Sequence, residues 1–177
     1  MKKQTPIVIA WLVAAGLAVA ATEKKSHAAP TDPQIAMIAV TADNVDIDAG
    51  KLAAEKATDP KVKDFADLMV RDHTSVNEQA TALAQKLNLT PEESATSKSL
   101  KEGGEKMMAK LKGLSGAEFD KAYVDNEVKY HEQVLGAVDK TLIPNAKNAE
   151  LKSLLESARP IFESHLNHAK ELQASFR

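Results

Sequence analysis

Three histidines stand where a packed helix would carry aliphatic side chains. His73 falls in the series Val62, Ala66, Met69, His73, Val76, Ala80, Leu83 and Leu87. These positions step by four and three residues and so form one stripe of a helix. His131 interrupts Val124, Val128, Leu135, Val138 and Leu142 in the same way, and His165 interrupts Leu151, Leu155, Ala158, Phe162, Ala169, Leu172 and Phe176. A side chain on such a stripe points into a helical assembly, where an unpaired polar group costs ~1–3 kcal/mol. Each ring needs a partner, and carboxylates lie close by in the chain. Asp72 adjoins His73, Glu127 precedes His131 by one turn with Asp120 two turns earlier, and Glu163 flanks His165, with His168 one turn on. Asp46 is a lone acid on the line Ala39, Ala42, Asp46, Ala49, Ala53. Imidazoles and carboxylates converging from facing helices suit a divalent transition metal: zinc, iron, manganese or copper. The candidate metal set is His73, His131 and His165, with Glu127, Asp72 and Asp46 as further ligands or as groups that orient the rings.

The same residues admit a plainer reading. Each histidine could be a core residue bonded to an Asp, a Tyr or a backbone carbonyl, and the three could lie at different depths. Asp46 could be an edge residue paired with a Lys. Met69 is either a soft ligand for copper or a gap-filling core residue. Tyr123 and Tyr130 read as core residues whose hydroxyls serve as partners, and Lys61, Lys63, Asp64 and Asp67 as a solvated face. Other chemistries find no support. The 177 residues include no cysteine, which excludes disulfides, thiolate metal sites, a cysteine nucleophile and a lipoprotein anchor. No Gly-x-Ser-x-Gly, glycine-rich phosphate loop or His-Glu-x-x-His occurs.

The elements that must position these residues follow from pattern and punctuation. Lys2 and Lys3 precede the apolar run Pro6 to Ala21, and small residues follow. This is the layout of a secretory signal, with small-x-small cleavage sites at Ser26-His27-Ala28 and, alternatively, Ala18-Val19-Ala20. A run of 16 residues is shorter than the ~20 that span a bilayer. The expected division is a signal peptide over 1–28, or cleavage after 20, and one domain over 29–177. That places the mature chain in a bacterial periplasm or outside the cell, touching the membrane only through its signal. A domain of this size buries ~68% of its unfolded surface. Loss of four lysines and Glu23 with the leader leaves 19 basic and 24 acidic residues, a net charge of −5. A mildly acidic domain without a basic run is a poor nucleic-acid binder.

Asp32 with Pro33 predicts the start of a first helix that runs to about Ala57, with Ile35, Ile38, Ala42, Val45, Ala49 and Leu52 as its apolar stripe. Asp59-Pro60 opens a second helix, ending near Asn88. Thr90-Pro91-Glu92-Glu93 reads as a capping box for a third segment reaching Lys112. Gly103-Gly104 inside it predicts a broken or mobile helix, since each interior glycine costs ~1 kcal/mol relative to alanine. Ser115-Gly116-Ala117-Glu118 reads as another capping box, opening a fourth helix to about Leu142, before Pro144. The last helix carries Pro160 within its stripe, so a kink near Glu156 or a break is expected.

These residues carry a resemblance. The stretch Asn44-Val45-Asp46-Ile47-Asp48-Ala49-Gly50-Lys51-Leu52-Ala53, then Val62-Lys63-Asp64-Phe65-Ala66, Met69-Val70-Arg71-Asp72-His73, Leu114-Ser115-Gly116, Phe119-Asp120, Tyr123, His131 and His165-Leu166 follow one order. The chain resembles an exported bacterial family known as domain of unknown function number 4142, whose fold is a ferritin-like helical bundle. The resemblance implies that fold and an envelope location, and no reaction. Di-iron bundles of this type use Glu-x-x-His pairs, whereas Val70, Val128 and Phe162 stand three residues before the histidines here. Where that family often has Glu in the first helix, this chain has Asp46. A mononuclear site, or none, fits better than an iron oxidase.

The expected architecture is all-α: a ferritin-like up-and-down four-helix bundle with an extra irregular helical segment between helices 2 and 4. The expected function is a non-catalytic envelope protein that holds a divalent metal in its core. The alternative is a metal-free structural or protein-interaction module with an envelope partner, and a metal-dependent oxidoreductase is the third class.

Overall fold

The computed structural model describes residues 29–176, and all regular structure among them is helical. The expected signal peptide, 1–28, lies outside the described residues. Helix α1 spans Asp32–Lys56, α2 Pro60–Lys86, α3 Ala95–Lys112 and α4 Gly116–Ala137. A π-helical turn over Val138–Leu142 continues α4 into the short α5, Ile143–Asn145, and α6 runs from Ala149 to Ser175. Among the described residues no helix is long and apolar enough to cross a membrane.

The four long helices close around one interior: α1 packs on α2, α2 on α6, α6 on α4, and α4 returns to α1, while α3 lies on the outside of α1. Two apolar clusters give their directions. One gathers Ala49, Ala53, Phe65, Met69, Phe119, Tyr123, Ala169 and Leu172. The other gathers Ile35, Ile38, Leu83, Val138, Leu142, Leu151 and Leu155. The C-terminal half of α1 thus meets the N-terminal half of α2, and the same reversal relates α4 to α6. The alternating three–four spacing of each stripe accounts for both clusters, because it turns one face of every helix inward. His73, His131 and His165 lie midway along their helices, in the layer between the clusters.

Local signals were redistributed by tertiary contacts. Thr31, not Asp32, caps α1, through a reciprocal capping box with Gln34. Asp32 instead accepts hydrogen bonds from the backbone N–H groups of Lys147 and Asn148, tying the start of α1 to the start of α6. Asp59 caps α2 as its position predicts. The box expected at Thr90 is not used: Ser94 caps α3 with Ser97 as its reciprocal partner. Ser115 makes no capping hydrogen bond, and Gly116 after it enters α4 with φ +58°. Asp120, buried on α4, accepts from the N–H groups of Thr58 and Asp59 and from the Thr58 hydroxyl, fixing the α1–α2 turn.

Of the kink or break expected at Pro160 and the broken or mobile helix expected at Gly103-Gly104, neither break occurs. Helix α6 runs uninterrupted through Pro160, an exposed position where packing of the flanking Ala158 and Phe162 outweighs the loss of one backbone bond. Helix α3 is likewise continuous across Gly103-Gly104. Here the reason is steric. A Cβ on Gly104 would sit 2.7 Å from Val45 Cγ2, so the glycine is what lets α3 close onto α1. A Cβ on Gly103 meets nothing within 4 Å.

That contrast predicts opposite outcomes for neighbouring substitutions. Gly103→Ala should raise unfolding stability by ~1 kcal/mol, the helix-propensity difference. Gly104→Ala should lower it, because overpacking costs ~1–3 kcal/mol and exceeds that gain. Chemical denaturation of the two variants measures both, and equal shifts would rule out the close α1–α3 contact.

Candidate metal centre

The three imidazoles meet. Their ring centroids form a nearly equilateral triangle, with sides of 5.6 Å (His73–His131), 5.2 Å (His73–His165) and 5.5 Å (His131–His165). One nitrogen from each ring lies within 4.8 Å of one from each of the others. All three residues are buried, at 1%, 0% and 2% exposure. Each seam aims its ring inward, and the opposed helices bring the rings to one depth.

Each ring is oriented by a different acceptor. His73 donates from Nδ1 to Asp43 Oδ1 at 2.8 Å, and Phe162 stacks on its face at 5.1 Å between centroids with 7° between planes. His131 donates from Nδ1 to the Glu127 carbonyl at 3.1 Å. His165 donates from Nε2 to Asp72 Oδ2 at 3.0 Å. A carbonyl only accepts, as does an ionised carboxylate, so the tied nitrogen of each ring carries its hydrogen. The remaining nitrogens, His73 Nε2, His131 Nε2 and His165 Nδ1, are then bare lone pairs. All three are buried and have no hydrogen-bond partner.

A second group of donors adjoins the first. Asp46 and Glu127 are buried at 2% and 0% exposure and, with His131, bring one donor atom each within 4.8 Å of the others. Asp46 Oδ2 is 3.3 Å from His73 Nε2 and 4.0 Å from His131 Nε2. Among the described residues no lysine pairs with Asp46, which is buried and not at the bundle edge. Both Glu127 carboxyl oxygens and the nearby Tyr123 hydroxyl lack hydrogen-bond partners, so this Tyr is no partner for a histidine. Tyr130 donates its hydroxyl to the Ala42 carbonyl instead.

The other sequence candidates are placed as follows. Asp72 is half-buried, bonded to Arg71 on one side and His165 on the other, so it orients a ring from the edge of the site. Asp120 serves the α1–α2 turn, Glu163 pairs with Arg159 on the surface, and His168 packs edge-on against Phe65. Met69 is fully buried in the apolar cluster. The residue that sequence reasoning missed is Asp43. Its signal was available: Ala36, Asp43, Gly50 and Ala57 recur every seven residues, and all four are buried.

Burial sets the charge of this layer. Burial, reinforced by the other two imidazoles, lowers His131 to about 3. Burial lowers His165 to about 4 against the opposing pull of Asp72. Burial raises Glu127 to about 8, and burial followed by the charges of Glu127 and Asp43 holds Asp46 well above the ordinary carboxylate range. Near neutral pH, His131 and His165 are therefore unprotonated, as a ligand must be.

A family model described as a domain of unknown function (DUF4142) matches residues 17–172. No curated protein matches the sequence. Among solved structures, CopM in the Cu(II)-bound form superposes with a TM-score of 0.65 at 14% identity, covering 85% of this chain and 100% of that one. At that identity the likeness is one of fold.

The shifts predict the pH profile of the metal-free protein. Between about pH 6.5 and about 3–4 the unfolded chain binds protons at His131 and His165 that the folded chain refuses, so stability falls as pH drops through that window. Between about pH 4.5 and about 8 folded Glu127 keeps a proton the unfolded chain has lost, so its contribution falls as pH rises. Glu127→Gln should flatten the decline from pH 6.5 to 8 and leave the acid limb in place. Denaturant titrations across that range check it, and an unchanged alkaline slope would refute the assignment.

Proposed function

The chain belongs to the DUF4142 family, and we propose that it is an exported protein holding one divalent transition metal through His73, His131 and His165. The observation that carries this reading is that three buried imidazoles each keep one nitrogen without a hydrogen-bond partner and together bring one nitrogen apiece within 4.8 Å of the others. A protein core that needed three histidines only for packing would satisfy both nitrogens of each ring. Here each ring is tied at one nitrogen to a carboxylate or carbonyl, the arrangement that fixes the tautomer and direction of a metal-ligating histidine. Asp46 is the carboxylate placed to complete the set, and Asp43 and Asp72 orient His73 and His165. The residues fit a metal that favours imidazole, which selects copper or zinc over manganese. The copper named in the CopM structure lends that choice a precedent within a similar fold. The four long helices are read as a ferritin-type up-and-down bundle, and residues 1–28 as the signal that exports it. The absence of Glu-x-x-His pairs argues against the di-iron version.

The test uses the domain without a His tag, stripped with a chelator. Affinity should rise from Mn(II) through Fe(II) to Cu(II), with Zn(II) below Cu(II). At a hundredfold excess over Kd, Cu(II) should stabilise the fold by ~2.7 kcal/mol. No uptake of any of these ions would leave the metal-free interaction module as the reading.

Two leucine substitutions separate the roles of the rings. His131→Leu should abolish binding and leave metal-free stability unchanged or higher, because it frees only a helix carbonyl. His73→Leu should abolish binding and destabilise the metal-free fold by ~1–3 kcal/mol, because Asp43 is stranded. Calorimetric titration and thermal melts of both variants decide the matter, and metal bound normally by His131→Leu would end the three-histidine assignment.

A further inference from the structure

The two halves of the interior are filled differently. On one side of the imidazoles Phe65, Met69, Phe119 and Tyr123 are all fully buried and pack the space. On the other, alanines stand at the facing positions (Ala39 and Ala42 on α1, Ala80 on α2, Ala158 on α6), and they border a cavity of about 110 Å³. Its inner end is formed by Asp43, His73 and Phe162, and its outer end by Leu87, Leu89 and Leu151.

We propose that this cavity binds a single unbranched aliphatic chain with an uncharged head group, whether or not a metal is bound. The volume is several times the ~10–15 Å³ that a water needs, yet apart from Asp43, His73, Thr96, Tyr130 and Gln133 every lining side chain is apolar, and voids lined in this way stay dry and take apolar ligands. The shape selects among apolar molecules. Helix α2 alone lines the cavity from His73 to Leu87, 14 residues, which is about 21 Å at 1.5 Å per residue. A small volume drawn out over that length is a bore, not a chamber, and it fits a chain better than a ring. The outer end reaches half-buried Leu87, Leu89 and Leu100 where α2 terminates, so a chain can enter end-on. The π-helical turn of Val138–Leu142, a feature that recurs at functional sites, contributes both of its terminal side chains to the wall. No lysine or arginine lines the bore, and Asp43 at its inner end disfavours a carboxylate head.

The experiment is a titration of the purified protein with ¹³C-labelled 1-octanol followed by NMR. Saturable one-to-one binding is expected, with NOEs from the chain methylenes to the Ala80 and Ala158 methyl groups. Ala80→Leu and Ala158→Leu should each weaken octanol binding at least tenfold while Cu(II) uptake stays unchanged, so failure here is separable from failure of the metal reading. Benzene and octanoate should each bind at least tenfold more weakly than octanol. If either leucine variant fails to fold, the wild-type NOEs decide. Absence of those NOEs, octanol affinity within twofold of wild type in a folded variant, or tighter binding of benzene or octanoate would overturn the proposal.

Discussion

An imidazole has two nitrogens, and the groups that orient these three rings satisfy only one of each. Asp43, the Glu127 carbonyl and Asp72 each take the hydrogen of one nitrogen, and the other is left as a bare lone pair in the interior. Water solvates such a lone pair cheaply, and a protein core does not. The layer of His73, His131, His165, Asp46 and Glu127 is therefore a standing cost that the rest of the fold must offset. It does so on one side, with the aromatic cluster around Phe65, Phe119 and Tyr123, and at the turns, with the Asp120 and Asp32 contacts that pin helix ends together.

Those pins explain why the polar layer stays in register. One residue of slip on any helix would rotate its histidine by about 100° and take the ring out of the triangle. Asp120 fixes where α1 ends and α2 begins, relative to α4. Asp32 fixes where α6 begins, relative to α1. Three helix starts and ends are thereby set by two carboxylates at opposite ends of the domain, and the three rings in the middle inherit their common depth from them. Stacking of Phe162 on His73 then fixes the rotation of that ring about its own axis.

Much of this was readable from residue spacing, and the parts that were not have a common cause. Seam periodicity placed the three histidines inward, because burial of a stripe follows directly from the 3.6-residue repeat. It missed Asp43, whose seven-residue spacing with Ala36 and Gly50 marks a face that the hydrophobic stripe alone does not define. It placed Asp72 beside His73, its neighbour in sequence, whereas adjacent residues on a helix point apart and Asp72 serves His165 across the α2–α6 contact. The breaks that do not occur at Gly103-Gly104 and Pro160 share this character. Local propensity counts what a residue costs its own helix, and it is blind to what a missing Cβ allows a neighbour such as Val45 to do. The capping boxes at Thr90 and Ser115 fit the residue pattern, but α3 is capped by Ser94 instead, and Ser115, before the positive φ of Gly116, makes no capping bond.

The asymmetry of the interior bears on how anything reaches the site. In the aromatic half Phe65, Phe119 and Tyr123 are fully buried and fill the space beside the rings. Two features border the rings elsewhere, and they differ in chemistry. One is Asp72, a half-buried carboxylate that Arg71 and His165 hold below the ordinary range and therefore charged, bonded directly to His165. The other is the alanine-lined bore that ends on His73 and carries no charge until Asp43. A cation loses least hydration free energy beside the first, where a carboxylate replaces water, and would be stripped without compensation in the second. An aliphatic chain faces the opposite balance. Asp72 sits at His165 and the bore ends on His73 and Asp43, so occupancy of the bore and ligation by the imidazoles need not exclude each other.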